Sequence, residues 1–226
     1  MQCDDKSNMI ISYITLRNLI GYGGILLPFV CMAGAAFIGG KCIQESVSMY
    51  YYSNMRDFFI GLMAVVSLFL VTYKGYCLVD NIVTTSSGVM GLLLALFPCM
   101  QSKDATELVG IFMLKQGTSE YIHVTSAAVF FILLALNSIF LFTRSKLKWK
   151  DFPCRKKIRN IIYIGCGVII LVALVLLAVL TMVLGSAYVT EHRIPLILEI
   201  IMLSAFGVSW LVKGETIFKD RQGEIA

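Results

Sequence analysis

The sequence predicts an all-α fold, a polytopic membrane protein built as a bundle of six transmembrane helices. Of the 226 residues, 58% are hydrophobic and only 15% are charged, and the mean hydropathy is +0.82. About a quarter of the residues of soluble domains are charged. The chain also holds six apolar segments, each near the roughly 20 residues that cross a hydrocarbon core. Lipid offers the backbone no hydrogen-bond partners, so each segment is expected to be an α-helix.

The apolar segments give the predicted spans in order. They cover residues 19–40, 57–74, 77–99, 121–143, 160–186 and 194–212. The first begins too late and runs too long for the core of a signal peptide, which indicates a retained span. We find no internal repeat, so residues 1–226 are expected to form a single six-helix domain. The segment DATELVGIFML, 104–114, is predicted to form a short helix along the outer membrane surface or over the mouth of the bundle.

The distribution of positive charge predicts the orientation of the spans. The formal net charge is +5, and the segment 144–159 alone holds eight of the 19 Lys and Arg residues. The positive-inside rule places this loop, and with it both termini, on the cytoplasmic side of a cellular membrane. Contact of the same loop with anionic lipid is an alternative interpretation. Because topology accounts for the charge, nucleic-acid binding is not predicted.

The seven cysteines do not indicate a metal site. None of them forms a C-x-x-C pair or another metal-ligand spacing. Cys42 and Cys99 fall near the same outer face, where an oxidising compartment would allow a disulfide. No metal and no other cofactor is predicted.

Ionisable groups within apolar spans need a partner or a function, because each costs on the order of 2.5–3.5 kcal/mol at mid-helix. Asp57 opens the second span. His123 begins the fourth, with Ser126 on the same helical face, and Glu199 lies roughly 7.5 Å below the start of the sixth. Each has a structural interpretation as a helix cap, a hydrogen-bonded imidazole or a buried acid. The functional interpretation is that they face one cavity open to the outer side.

Asp80 and Asn81 stand near the cytoplasmic start of the third span. They lie a membrane's thickness from the other polar residues, so they are expected to make interhelical hydrogen bonds. Lys74 and Lys213 are the predicted partners and snorkelling anchors.

The stretch SVSMYYYSNMRDFF, 46–59, is polar and aromatic although it connects two apolar spans. Its three consecutive tyrosines fit an interfacial aromatic belt, but three in a row cannot all face one way. The stretch is therefore predicted to form the polar lip of an outward-opening pocket with apolar walls, suited to a phosphate or another polar head group. The predicted donors on this lip are Ser46, Ser48, Tyr51 and Arg56.

Four segments carry a family resemblance: LIGYGGILLPF in the first span, SVS at 46–48, HVTSAAVFF at 123–131 and EIIMLSAFGVSWLVKGE at 199–215. They resemble the Frag1/DRAM/Sfk1 class of six-span membrane proteins and related uncharacterised bacterial membrane families. Members of that class are implicated in remodelling glycolipid anchors and in modulating the lysosomal membrane. The resemblance implies proximity to lipid more than a particular reaction.

A more distant analogy links the chain to seven-span zinc hydrolases that act on ceramides. Those enzymes use one Ser, one Asp and three His residues. This chain holds only His123 and His192, and a tyrosine stands near Ser48 where such a site would want a further histidine. A three-histidine zinc site is therefore not predicted.

The leading functional prediction is a protein that binds or processes a lipid or other amphiphile in an outward-facing polar pocket. As an enzyme it would use His123 as base, Ser48 or Ser46 as nucleophile, and Asp57 or Glu199 to orient the imidazole. The sequence leaves open whether it is an enzyme. Membrane lipids are the predicted partners.

Two other functions fit the same residues. In an ion or small-solute transporter, Glu199 and Asp80 would mark a path from opposite sides. In a non-catalytic membrane scaffold or assembly factor, the same polar groups would hold helices together.

Overall fold

The computed structural model describes residues 3–38, 43–75, 77–101, 106–145 and 152–216, with side chains described from residue 13 onward. The helices are α1 (Cys3–Phe37), α2 (Arg56–Thr72), α3 (Leu78–Leu96), α4 (Gln116–Leu136), α5 (Cys154–Leu184), α6 (Ser186–Glu191) and α7 (Ile194–Lys213). A 3-10 helix, Ser48–Tyr52, precedes α2, and a π-helical turn, Asn137–Leu141, extends α4. Strands β1 (Leu108–Val109) and β2 (Leu114–Lys115) form an antiparallel hairpin in which Leu108 faces Lys115.

Among the described residues, five helices are long and apolar enough to cross a membrane: α1 from Tyr13 onward, α3, α4 with its π-helical turn, α5 and α7. At 17 residues, α2 is shorter. The prediction of a mostly helical fold with long apolar helices is confirmed. Such a fold is compatible with a multi-pass membrane protein.

Several helices extend beyond the predicted spans. The first begins at Cys3 rather than near residue 19, the fourth at Gln116 rather than 121, and the fifth at Cys154 rather than 160. Hydropathy marks only the apolar part of a helix. Lys, Arg, Gln and Glu are good helix formers, so a helix continues through polar flanks.

The segment predicted as a short helix, 104–114, forms the β1–β2 hairpin over its described residues, so that prediction is wrong there. Gly110 takes a φ of +72° and Met113 a φ of +49°. Both angles belong to the left-handed region that glycine adopts readily and that reverses a chain. The hairpin ends where the Gln116 N–H donates to the Glu107 carbonyl at 2.7 Å.

The six long helices form a closed ring in which α1, α2, α3, α4, α5 and α7 each pack on the next, and α7 returns to α1. Gly21 on α1 and Gly207 on α7 lie at the contact where α7 returns to α1. A Cβ on Gly207 would lie 2.5 Å from the Gly21 carbonyl oxygen, and a Cβ on Gly21 would lie 2.9 Å from the Gly207 oxygen. The backbones of α1 and α7 therefore meet directly, as small residues allow in membrane helices.

Trp210, which is 1% exposed, fills one half of the ring. The Tyr73 and Phe142 rings stand edge-on to it, with centroids 5.2 Å away, and Phe69 does the same at 5.5 Å. This geometry is one that aromatic pairs prefer. We call this half the basic end, because it lies beside residues 144–145 and 152–159, and the opposite half the cavity end.

An ion pair ties α3 to the segment after the π-helical turn at the basic end. Arg144 Nη1 lies 2.7 Å from Asp80 Oδ1, and the two side chains are 43% and 3% exposed. Sequence reasoning named Lys74 and Lys213 as partners of Asp80. Arg144 forms the ion pair and the Cys77 thiol also donates to Asp80 Oδ1, while Lys213 interacts with Asp80 electrostatically. The sequence does not single out Arg144 as the partner of Asp80, because Arg144 belongs to a long run of basic residues.

Candidate functional site

A cavity of about 520 Å³ lies between α4, α5 and α7 at the cavity end. This volume falls in the range of about 300–1,000 Å³ that ligand pockets occupy. Three helical stripes form its walls: Glu120, His123, Val124, Ala127, Ala128 and Phe131 on α4, Leu174, Leu177, Ala178, Thr181 and Met182 on α5, and Pro195, Glu199 and Met202 on α7. The connecting segments complete it with Glu45, Ser46, Ser48, Met49, Cys99, Met100, Ser186, Val189 and Thr190. The spacing of three and four residues means that each helix turns one face to the cavity.

The cavity is polar at its mouth and apolar at its floor. Carboxylates and hydroxyls lie around the mouth, whereas Phe131, Leu174 and Met202 form the floor. From Glu120 to Phe131 the wall descends about 16 Å at the helical rise. Beneath the floor the bundle is filled by buried side chains such as Phe206 and Trp210. The cavity is therefore polar at one end and apolar at the other, as an amphiphile is.

At the basic end, α4 and α5 are in close contact. A Cβ on Gly167 would meet Ile139 and would lie 2.9 Å from the Ala135 carbonyl oxygen. Ser138 Oγ also donates to the Tyr163 carbonyl at 2.8 Å. The halves of α4 and α5 that lie at the basic end are therefore fixed to each other.

At the cavity end, the same two helices leave a gap. Val124 on α4 and Met182 on α5 both line the cavity, yet they are 53% and 85% exposed. Neighbouring outward residues of α5, including Val179 and Val183, are exposed and apolar as well. The cavity thus opens sideways, between α4 and α5, onto an apolar surface.

Glu199 fastens the segment 45–48 to α7. Its Oε2 accepts the Val47 N–H at 2.5 Å, and the Ser48 N–H also hydrogen-bonds to this carboxylate. Val47 is the N-cap of the 3-10 helix, so a carboxylate from another helix satisfies the free N–H groups there. One turn earlier, the Leu196 N–H donates to the Glu45 carbonyl at 3.2 Å.

His123 fastens the connection between α3 and α4. Its Nδ1 lies 2.8 Å from the Phe97 carbonyl oxygen, and a carbonyl can only accept, so Nδ1 carries the proton. The Leu94 carbonyl is a second acceptor beside the ring. In a neutral imidazole this arrangement leaves Nε2 as an acceptor. The ring itself is 5% exposed.

Three other side chains hold the rest of the connection 97–100. Ser119 donates to the Pro98 carbonyl at 2.7 Å, Tyr52 donates to the Cys99 carbonyl at 2.7 Å, and Glu120 Oε2 accepts the Met100 N–H at 2.5 Å. Burial raises the pKa of Tyr52 to about 12, which keeps the phenol protonated as a donor, and its hydroxyl also hydrogen-bonds with Gln116. The mouth of the cavity is therefore a rigid, hydrogen-bonded rim.

Four of the predicted site residues line the cavity: Ser46, Ser48, His123 and Glu199. Sequence reasoning thus brought together residues from three parts of the chain. Ser46 Oγ accepts the Met49 N–H at 3.1 Å, so this hydroxyl also stabilises the turn that carries it.

The other four predicted site residues do not line it. Arg56 Nη2 donates to Tyr51 Oη at 2.9 Å, and the guanidinium carbon lies 4.5 Å from the centroid of the Tyr51 ring. Arg56 and Asp57 are exposed at the start of α2. Ser126 is buried on α4, between the positions of the lining stripe. A pocket lip made of Tyr51, Arg56 and Asp57 is therefore not what the structure presents.

In the described part of the chain, the predicted nucleophile, base and orienting acid are not linked to one another by hydrogen bonds. Among the hydrogen bonds of the described residues, none joins His123 to Ser46, Ser48 or Glu199. A nucleophile, a base and an orienting acid would have to be linked in series. Here His123, Ser46 and Glu199 instead each hold a backbone group.

Sequence reasoning missed several lining residues, above all Glu45, Glu120 and Thr181. Glu120 was assigned to the outer loop, because the fourth span was expected to begin at 121. The signal that would have found it is periodicity: the intervals from Glu120 through His123 and Ala127 place all three on one helical face.

The cysteines and carboxylates do not form a metal site in the described part of the chain: no group of three or more His, Cys, Asp or Glu side chains there is placed to hold a metal ion. Cys42, half of the disulfide considered above, lies outside the described residues. Cys99 is a free, buried thiol, 3.5 Å from the Met49 sulfur. Its burial raises the pKa of this thiol.

Comparisons of the chain with family models, with curated proteins and with solved structures give no match.

Proposed function

We propose that this protein is a six-span integral membrane protein that binds a lipid or other amphiphile in the cavity between α4, α5 and α7. In this proposal α2 is the sixth span, since its 17 residues are within the range that crosses a bilayer. We also propose that the protein is related to the Frag1/DRAM/Sfk1 class, which four of its segments resemble. The observation that carries it is the sideways opening of an apolar cavity onto an apolar surface, with polar groups at one end only.

The proposed orientation puts the basic end toward the cytoplasm, because Arg144 and the cluster of Lys and Arg at 155–159 lie there and positive charge favours the cytoplasmic side. The cavity mouth then lies at the opposite membrane surface. A bound amphiphile would place its head group beside Ser48, His123 and Glu199. Its chain would run down the apolar wall toward Phe131 and out between α4 and α5.

Two features favour lipid binding over transport. The floor of the cavity rests on the buried core around Phe206 and Trp210, so a solute path would have to cross densely packed aromatic side chains. The polar rim is also fastened by hydrogen bonds from His123, Glu120 and Glu199. Such a rim suits a fixed binding site more than a moving gate.

The test is to fill the sideways opening from α5. Ala178 lines the cavity, whereas its neighbour Val179 faces outward and is 47% exposed. We expect Ala178→Trp to reduce the lipid that stays bound to the purified protein through delipidation by about tenfold or more. The matched control Val179→Trp adds a similar side chain on the lipid-facing side and should retain lipid like the wild type.

Native mass spectrometry measures the retained lipid, and far-UV circular dichroism checks that both variants are folded. Equal retention by folded Ala178→Trp and wild type would refute a lipid site in this cavity. Absence of retained lipid in the wild type, together with an unchanged fold, would favour the scaffold function. In that case the polar rim would serve only to hold the connecting segments.

A further inference from the structure

Among the described residues that line the cavity mouth, the charged side chains at its rim, Glu45 and Glu120, are acidic and none is Lys or Arg. The sequence predicted Arg56 there, and with it a phosphate or another polar head group. In the structure Arg56 is engaged with Tyr51 at the start of α2.

The carboxylates at the mouth retain capacity to bind. Glu120 accepts one backbone N–H at 2.5 Å, but an ionised carboxylate offers about four lone-pair sites. Backbone N–H groups are dipoles and leave the formal charge of a carboxylate in place. The side chain of Glu45 stands at the exposed rim.

The remaining polar groups around the mouth also suit a donor. His123 has its Nδ1 proton committed to Phe97, so a neutral ring offers an acceptor at Nε2. The hydroxyls of Ser48, Thr181 and Thr190 line the same volume, and a hydroxyl accepts as readily as it donates. The carboxylates would repel a phosphate although the hydroxyls could donate to it, whereas an ammonium would find acceptors at the carboxylates, the imidazole and the hydroxyls.

We infer that the ligand of this cavity is an amphiphile with a positively charged, amine-type head group. This inference rests on the proposed function, since it specifies the head group of the lipid whose chain occupies the gap between α4 and α5. The carboxylates of Glu45 and Glu120 attract the ammonium, and the apolar stripes of α4 and α5 hold the chain. Juxtaposed like charges repel, so the same mouth disfavours anionic head groups.

The test compares amphiphiles with one chain and different head groups. Hexadecylamine, hexadecyl maltoside and hexadecyl phosphate are titrated against the full-length protein in nanodiscs of zwitterionic lipid, with empty nanodiscs as the partition control. We expect the amine to bind at least about tenfold more tightly than the phosphate, a difference of about 1.4 kcal/mol. The maltoside should fall between them.

Charge-neutralising variants show whether the carboxylates cause the preference. Glu45→Gln and Glu120→Gln keep an acceptor oxygen and remove the charge, so each should reduce the preference for the amine over the phosphate several-fold. The matched control is Glu191→Gln, since Glu191 is exposed at the same end of the bundle and does not line the cavity. It should leave the preference unchanged.

The outcomes separate the inference from the proposed function. If the maltoside and the phosphate bind as well as the amine, and Ala178→Trp abolishes all three, the cavity binds amphiphiles and the head-group inference is wrong. If no amphiphile binds above the partition control, both the head-group inference and the proposed function are wrong. If the amine is preferred but Glu191→Gln weakens that preference as much as Glu45→Gln, general surface charge is responsible and the inference fails.

Discussion

Removing Arg144 should destabilise the protein more than neutralising Asp80, although the two side chains form one ion pair. Asp80 is 3% exposed and Arg144 is 43% exposed. In Arg144→Ala the carboxylate stays buried after losing the guanidinium at 2.7 Å. Breaking a buried pair in this way costs about 3–5 kcal/mol. The electrostatic interaction of Asp80 with Lys213 compensates in part, so we expect a loss near the lower bound, about 3 kcal/mol.

The reverse substitution, Asp80→Asn, leaves the exposed Arg144 head group free to be hydrated. An ion pair that water reaches contributes only about 0–1 kcal/mol, so we expect a loss of about 1 kcal/mol. The double variant lacks both charges and should resemble Asp80→Asn. The double-mutant cycle would then give a coupling energy of about 3 kcal/mol, at the upper end of the range for residues in contact.

Denaturant titration in detergent, followed by far-UV circular dichroism, measures the free energy of unfolding of the four proteins. The reasoning is refuted if Asp80→Asn costs as much as Arg144→Ala, or if the two losses add in the double variant. Either result would mean that water reaches Asp80 or that another cation replaces Arg144.

Two further predictions concern buried groups. Asn137→Leu should raise the free energy of unfolding by about 1–3 kcal/mol. The reason is that the oxygen and the nitrogen of the Asn137 side-chain amide are both buried without a hydrogen-bond partner among the described residues. A lower stability in the same titration would indicate a bound water that the leucine displaces. Under native conditions a maleimide should label the exposed Cys154 and spare Cys99, whose burial raises the pKa of the thiol. Peptide mass spectrometry reads the labelled positions, and equal labelling of the two cysteines without denaturant would contradict the burial of Cys99.

Hydropathy sufficed for the long helices, since crossing hydrocarbon requires an apolar run and an internally bonded backbone. It failed where the chain leaves the apolar core. The β1–β2 hairpin depends on the left-handed backbone at Gly110 and Met113, and a mean over eleven residues does not register two dihedral angles. The polar starts of α4 and α5 were missed because residues there form helix without being apolar.

The site was partly predictable because a polar group within an apolar helix needs a partner. That rule singled out His123 and Glu199, and both line the cavity. It gave no information on direction, so Tyr51, Arg56 and Asp57 were placed with them on proximity in sequence alone. Arg56 turned out to have a local partner in Tyr51, which a list of charged residues cannot show.

The residues at the mouth combine two functions that are usually tested as alternatives. Glu199 holds the segment 45–48 and Glu120 holds Met100, while both carboxylates face the cavity. Truncating either would lower stability and binding together, and would therefore not separate a scaffold from a binding protein. Residues that line the cavity without holding any backbone, such as Ala178, separate the two functions. A ligand that binds only the folded protein adds to its stability with concentration, so an amphiphile should stabilise the wild type and leave the stability of Ala178→Trp unchanged.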